Sequence, residues 1–228
     1  ESLTLRILEL ARDTMFRASY CYNFEMDDAR LHKRIAETQT EIFPLDRFLP
    51  LDSVYTIFHI EYEKEDSKTV FLNNRVYSRL REGYYALFAT LAYSLNKDKQ
   101  HVICFPSDPS NDFYMVELNQ DKESKAYCFD VKEYTGYSDS FESFLKQSIF
   151  PIIDQNTYDL VVGLHKAVSP SEQKQIYDYI KDKGSLRMVY LIGAATADND
   201  NEDISRVITI TKVGIVQNLI IDLGAHLQ

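Results

Sequence analysis

The stretch FYMVELNQDKESKAYCFDVKEYTGYSDSFESFLKQSI, residues 113–149, sets the fold class of this chain. Phe113 to Leu118 and Lys125 to Val131 are short runs of aromatic and β-branched residues separated by the polar turn NQDKE, so they read as two neighbouring strands. An irregular loop follows, carrying Tyr134, Gly136 and Tyr137. Asp139 then starts a helix, with Glu142 three residues later as the second half of a capping box. Phe141, Phe144, Leu145 and Ile149 give that helix one apolar face.

Working outward, His101 to Phe105 precedes this unit as a third short strand. The connections SDPSND and NQDKE are short and polar, which favours an antiparallel meander. Upstream, VYTIFHIEY at Val54 to Tyr62 is rich in β-branched and aromatic residues and reads as a strand, with Lys68 to Leu72 as its hairpin partner. Asn73 or Asn74 can cap a long helix whose stripe is Val76, Leu80, Tyr84, Leu87, Leu91 and Leu95. Two further helices are expected over 3–22 and 27–38.

Downstream the style changes. Asp159 to Leu164 is a nearly continuous apolar run, as in a strand covered on both faces. Ser169-Pro170-Ser171-Glu172 combines an N-cap, a proline at the first helical position and the glutamate of a capping box. Leu186 to Ile192 is again a buried-looking strand, so 159–192 could be a β-α-β crossover. Ile204 to Val213 and Ile215 to Leu223 could form a hairpin about Gly214. The fold class is therefore α+β: a mixed, mainly antiparallel sheet packed with helices, in one composite domain over 1–228 with Pro151 as the place for a subdomain seam.

Composition narrows the function. The 228 residues carry a formal net charge of −10, with 45% hydrophobic residues and only 7 Gly and 6 Pro, values of a globular protein. Wrapping a nucleic-acid backbone requires clustered Lys and Arg, so the charge argues against nucleic acid and suits a basic partner. No run is long and apolar enough to suggest a membrane span. Three widely spaced cysteines (Cys21, Cys104, Cys128) form neither a disulfide framework nor a zinc pattern and point to reduced thiols in the cytoplasm. Position 1 is Glu rather than Met, which suggests a removed leader or tag, or a domain excised from a larger assembly.

Chemistry-bearing patterns are sparse. His165 follows the apolar strand and stands near Ser169, where a helix N-terminus favours anions; with Asp159 and Asp222 near strand ends it defines the one candidate ligand pocket. The competing reading of His165 is a surface histidine on an ordinary loop. Asp198, Asp200, Glu202 and Asp203 resemble the opening of a calcium loop, but Asp203 replaces its glycine and Thr209 its closing glutamate, so a solvated loop is expected. Asp108, Glu123 and Lys125 imitate a nuclease spacing, but in a polar turn rather than on an apolar-flanked strand. No metal site and no cofactor follow from these residues. Tyr134 and Tyr137 lie in the loop before the capped helix, where tyrosine could supply rigid contact area for a partner.

The strings ICFPSDPSNDFYMVEL (103–118), AYCFDVKEY (126–134) and SDSFESFLKQSI (138–149) resemble the second half of the SMI1/KNR4 (SUKH) superfamily, over about residues 101–149. The corresponding positions are Phe105 and Asp108, Phe113 to Leu118, Phe129 and Asp130, and Ser140 to Leu145. The resemblance implies binding rather than catalysis: bacterial members are largely immunity proteins that neutralise toxins, many of them nucleases. The resulting expectation is a protein-interaction module, with Tyr134, Tyr137, Asp108 and Asp130 toward a basic protein partner. The alternative is an enzyme with a pocket around His165, Asp159 and Ser169.

Overall fold

The computed structural model describes residues 42–63, 77–97, 100–107, 111–118, 125–136, 140–155, 159–182, 188–196 and 203–227. The strands are β1 (Phe48–Pro50), β2 (His101–Cys104), β3 (Phe113–Glu117), β4 (Lys125–Tyr134), β5 (Asp159–Ala167), β6 (Val189–Ala194), β7 (Ile204–Thr211) and β8 (Gly214–Asp222). They form a mixed, mainly antiparallel eight-stranded sheet in chain order, as expected for the α+β class. The helices are α1 (Leu51–Tyr62), α2 (Ser78–Lys97), α3 (Phe141–Phe144), α4 (Phe150–Gln155), α5 (Pro170–Ile180) and α6 (Leu223–Leu227). The chain divides into two compact units, Glu1–Tyr84 with Lys97–Cys128, and Tyr85–Asn96 with Phe129–Gln228. Pro151, the expected seam, lies inside the second unit.

In the first unit β1, β2 and β3 pair antiparallel, with Ile103 opposite both Leu49 and Met115. Val54–Tyr62, expected as a strand, is instead most of helix α1. Pro50 holds the N-cap extended, and Asp52 sits in the first turn, where the helix dipole favours a carboxylate. Val54 and Phe58 are buried four residues apart, and Phe58 stacks on Tyr62 at 5.5 Å. A strand would place Ile60 on the face of Phe58, whereas Ile60 is exposed. Spacing by four therefore overrode the β-prone composition. The hairpin partner 68–72, the caps Asn73 and Asn74, and helices 3–22 and 27–38 lie outside the described residues.

Helix α2 exceeds the expected stripe. Tyr85, Ala86, Leu87, Phe88, Ala89, Thr90, Leu91, Ala92 and Tyr93 are all buried, as in a helix surrounded by core. Leu95, the expected end of the stripe, is half exposed.

The second unit contains the expected β-α-β crossover. Strand β4 pairs parallel with β5 from Phe129↔Asp159 onward, and β5 pairs parallel with β6 from Leu160↔Val189. Helix α5 joins β5 to β6, while α3, a π-helical turn at Leu145–Ile149 and α4 join β4 to β5. Both crossovers bury their apolar faces in one cluster: Phe144, Leu145 and Ile149 from the first, Ile176 and Ile180 from the second, against Val162, Leu191 and Ile208. Strands added in one direction by right-handed crossovers put their helices on the same face.

The first crossover helix differs from expectation at both ends. Its N-cap is Ser140, whose hydroxyl accepts from Ser143 N–H at 3.2 Å, while Asp139 lies outside the described residues. Glu142 instead pairs with Lys146 one turn on, at 2.7 Å. The helix does not stop at Ile149 but widens, with Phe150 N–H bonding back to Leu145 O, and continues through Pro151. A proline has no N–H, and its ring collides with the carbonyl four residues back; the wider turn relieves both.

Strands β6, β7 and β8 close the unit as antiparallel neighbours. The expected hairpin is present, with Gly214 at φ +138°, a conformation that glycine alone adopts readily. Between Thr209↔Gln217 and Ile210↔Ile215 the register shifts, so Val216 is the extra residue of a bulge on β8.

Candidate functional site

The residues of the expected pocket do not converge. His165 stands near the carboxyl end of β5, its Nε2 3.4 Å from Glu133 Oε1 on β4, and its buried Nδ1 has no hydrogen-bond partner. Asp159 opens the same strand six positions earlier, about 20 Å away at a parallel strand's rise per residue. It is 2% exposed and accepts from Met188 N–H at 3.0 Å, tying the start of β5 to the start of β6. Asp222, at the end of β8, accepts from Ala225 N–H at 3.1 Å and caps α6.

Ser169 is occupied as a cap. Its hydroxyl accepts from Glu172 N–H at 3.3 Å, and Glu172 Oε2 accepts from Ser169 N–H at 2.9 Å, completing the box. Glu172 Oε1 also pairs with Lys166 Nζ, so the carboxylate that the helix N-terminus attracts is the chain's own. In open α/β sheets ligands settle where the strand order reverses. Among the described residues the order β4-β5-β6 runs in one direction with both crossovers on one face, so the strand order does not reverse there.

Of the residues expected to face a partner, Tyr134 is 9% exposed. Its ring packs on Phe141 at 5.3 Å and Phe144 at 5.2 Å, with Lys166 Nζ 5.4 Å from its centroid. Tyr134 thus closes the hydrophobic cluster beneath the first crossover. Asp130 is half buried on β4, in register with Leu160. Tyr137 and Asp108 lie outside the described residues, as do Glu123 and the acidic positions Asp198, Asp200 and Glu202.

In the first unit Cys104 is fully buried, and burial, reinforced by the nearby Asp46 carboxylate and opposed by Arg79, pushes its thiol up to about 12. A thiol so far from ionisation is a poor nucleophile at neutral pH. Among the described residues no group of three His, Cys, Asp or Glu is placed to hold a metal ion. No helix among them is long and apolar enough to cross a membrane.

The feature that packing does not absorb is the outermost strand. Among the described residues β8 pairs with β7 on one side only. On the face carrying Gln217 it is anchored: Thr209 Oγ1 donates to Gln217 Oε1 at 2.9 Å, Gln217 Nε2 donates to Ala92 O at 3.1 Å, and Ile221 is buried. The opposite face is exposed among the described residues. The cluster beneath the crossover helices takes Ile208 and Ile210 from β7 and nothing from β8. Ile215, in register with Ile210, is 50% exposed, and Ile220, in register with Arg206, is 59% exposed. Val216 at the bulge is 50% exposed and Val213 in the turn 79%.

Comparison with known protein families, curated proteins and solved structures returns no match to this chain.

The arrangement that remains is a surface rather than a pocket. Sequence reasoning found the hairpin but not its edge position, because strand order is a long-range property. One local signal was available: Gly214 to Ile221, GIVQNLII, contains no charged residue and no proline. Solvent-facing edge strands ordinarily carry such residues to block pairing with other chains.

Proposed function

We propose that the protein is a protein-interaction module and that β8, with the β7–β8 turn, is its docking edge. The observation that carries this reading is the exposure of Val213, Ile215, Val216 and Ile220 along a strand with no described outer neighbour. An open strand offers unpaired N–H and C=O groups for strand addition, and the apolar side chains supply contact area. The net charge of −10 supports a basic protein as the heterologous partner, since opposite charge speeds encounter. The resemblance over residues 101–149 supports the narrower form of this reading, an immunity-type protein that neutralises a basic toxin or nuclease. Cys104 and Cys128 as thiols support a reducing, cytoplasmic setting.

The test is cross-linking of the full chain in extract from its own cells, with the cross-links located by mass spectrometry. The reading requires a stoichiometric basic protein cross-linked at 212–222 and lost when Ile220→Lys is introduced. Cross-links confined to other surfaces overturn it.

One observation favours a second reading, an enzyme with a pocket beyond β5: the buried, unpartnered Nδ1 of His165. Under that reading a small molecule co-purifies with the chain and is released by His165→Ala.

A further inference from the structure

We propose that Arg206 is the anchor of the docking edge: the strand that adds to β8 carries a glutamate opposite Ile220, and its carboxylate reaches over Ile220 to the Arg206 guanidinium. The inference rests on β8 being the docking edge and names the side chain that a partner presents there.

Arg206 is the cation on this face that packing leaves unexplained. It is partly buried on β7, and its Nε is buried with no hydrogen-bond partner. A buried charged donor without an acceptor is more costly than a neutral one, and an anion that accepts from it removes that cost. The carboxylate diagonal to Arg206 across the β7–β8 pair is Asp222, which accepts from Ala225 N–H at 3.1 Å and caps α6.

The sheet decides from which side an anion arrives. Arg206 lies in one cross-strand row with Gly193 of β6 and Ile220 of β8. On the Gly193 side the place of a β-carbon is taken by Lys166 O and Val168 Cγ2, so the chain leaving β5 closes that side. On the other side Ile220 is 59% exposed, and among the described residues no strand lies beyond β8.

A strand added to β8 places its residue opposite Ile220 two strand spacings, about 10 Å, from the Arg206 backbone. Two long side chains span that gap. Glutamate lays its methylenes on Ile220 and brings its carboxylate to the guanidinium, where a charge-assisted and bidentate pair forms. Aspartate is one methylene shorter. Asn218 is exposed on the same face, and Val216 and Ile215 follow toward the turn. An antiparallel partner strand therefore reads Glu, a polar residue two positions on, and an apolar residue two beyond that. A partner of basic net charge can carry such a strand, since overall charge speeds encounter whereas one close pair fixes register.

The test is titration of the full chain with terminally blocked nine-residue peptides, followed by amide chemical shifts and exchange. The peptides carry Glu, Gln or Lys at the third position, Val at the seventh and Thr elsewhere. The wild type binds the Glu peptide about 5- to 30-fold more tightly than the Gln peptide, and the Lys peptide most weakly. Protection rises at the amides of β8. Arg206→Met keeps the apolar stem and binds the Glu and Gln peptides alike. Arg206→Glu prefers the Lys peptide, which also shows that the variant is folded.

Glu and Gln peptides bound equally by the wild type, with β8 protected, overturn the anchor and leave the docking edge standing. A Glu preference that depends on Arg206 but protects no β8 amide overturns strand addition, and the docking edge with it. Binding of no peptide overturns the anchor, while the cross-link at 212–222 still reports on the edge. The competing acceptor within the chain is the acidic run Asp198 to Asp203, which precedes β7 in sequence. If Asp200→Asn with Glu202→Gln destabilises the chain as much as Arg206→Met, and the combination adds nothing, the guanidinium serves that run and the proposal fails.

Discussion

Gly163 on β5 lies against the ring of Tyr85 so closely that a β-carbon there would sit 2.2 Å from Tyr85 Cζ. Tyr85 is itself buried, so the ring has little room to withdraw. Gly163→Ala is expected to destabilise the protein by about 1–3 kcal/mol, the usual cost of overpacking a core. Urea denaturation measures it as a lower midpoint at unchanged slope. Combining it with Tyr85→Leu removes the collision, and the two changes together should cost less than the sum of each alone. Strict additivity would show that the contact is not what the glycine serves.

Ser169 and Asp159, both candidate ligand residues from sequence, bond to the chain's own backbone instead, and their substitutions should read out as stability. Ser169→Ala removes an N-cap and is expected to cost about 1 kcal/mol. Asp159→Ala strands the N–H of Met188 and is expected to cost about 1–3 kcal/mol, whereas Asp159→Asn keeps an acceptor and should cost less. Thermal or urea melts of the three variants check the ranking. An Asp159→Asn variant more damaged than the alanine variant would count against the structural role.

These two residues also show where local pattern was enough and where it was not. The crossover at 159–192 was legible because Ser169, Pro170 and Glu172 write a helix start in consecutive residues, after a strand whose apolar run marks it as covered on both faces. Val54 to Tyr62 reads as a strand by its β-branched and aromatic composition but folds as a helix, because the spacing of Val54, Phe58 and Tyr62 decides which face is buried. The pocket was inferred from proximity in sequence between His165 and Ser169, but a strand carries Asp159 to the far end of the sheet, and the capping box consumes Ser169. Tyr134 reads as a loop residue because the apolar alternation fades after Val131, yet β4 runs on to Tyr134 and delivers its ring to Phe141 and Phe144. The edge position of β8 depends on which strand comes last among the described residues, and the uncharged, proline-free run Gly214 to Ile221 is its one local sign.

Cys104 gives a pH-dependent prediction. Its folded value of about 12 lies above the ordinary 9.0, so the unfolded chain gives up this proton more readily than the folded one. The contribution is fully present below pH 9 and is lost as pH rises toward 12, at up to about 1.4 kcal/mol per pH unit. Replacing Cys104 with Ala should flatten the alkaline side of the stability profile relative to wild type, whatever it costs at neutral pH. Consistently, iodoacetamide at pH 8 should leave Cys104 unmodified in the folded protein and alkylate it in urea, as read by peptide mass spectrometry. Rapid native labelling would contradict the burial.

Gly214 supplies a contrast to Gly163, because nothing lies within 4 Å of the place its β-carbon would take. Its constraint is the backbone, held at φ +138° where the β7–β8 turn re-enters β8. Gly214→Ala is therefore expected to cost about 1–3 kcal/mol through strain alone, and no second substitution that clears space should recover it. The strain is relieved by loosening the turn, which carries Lys212 and Val213. Amide exchange should accordingly rise first at Thr211 to Val216, with the β5–β6 ladder unchanged. If Gly214→Ala is neutral in a urea melt and leaves exchange in the hairpin untouched, the turn does not need glycine.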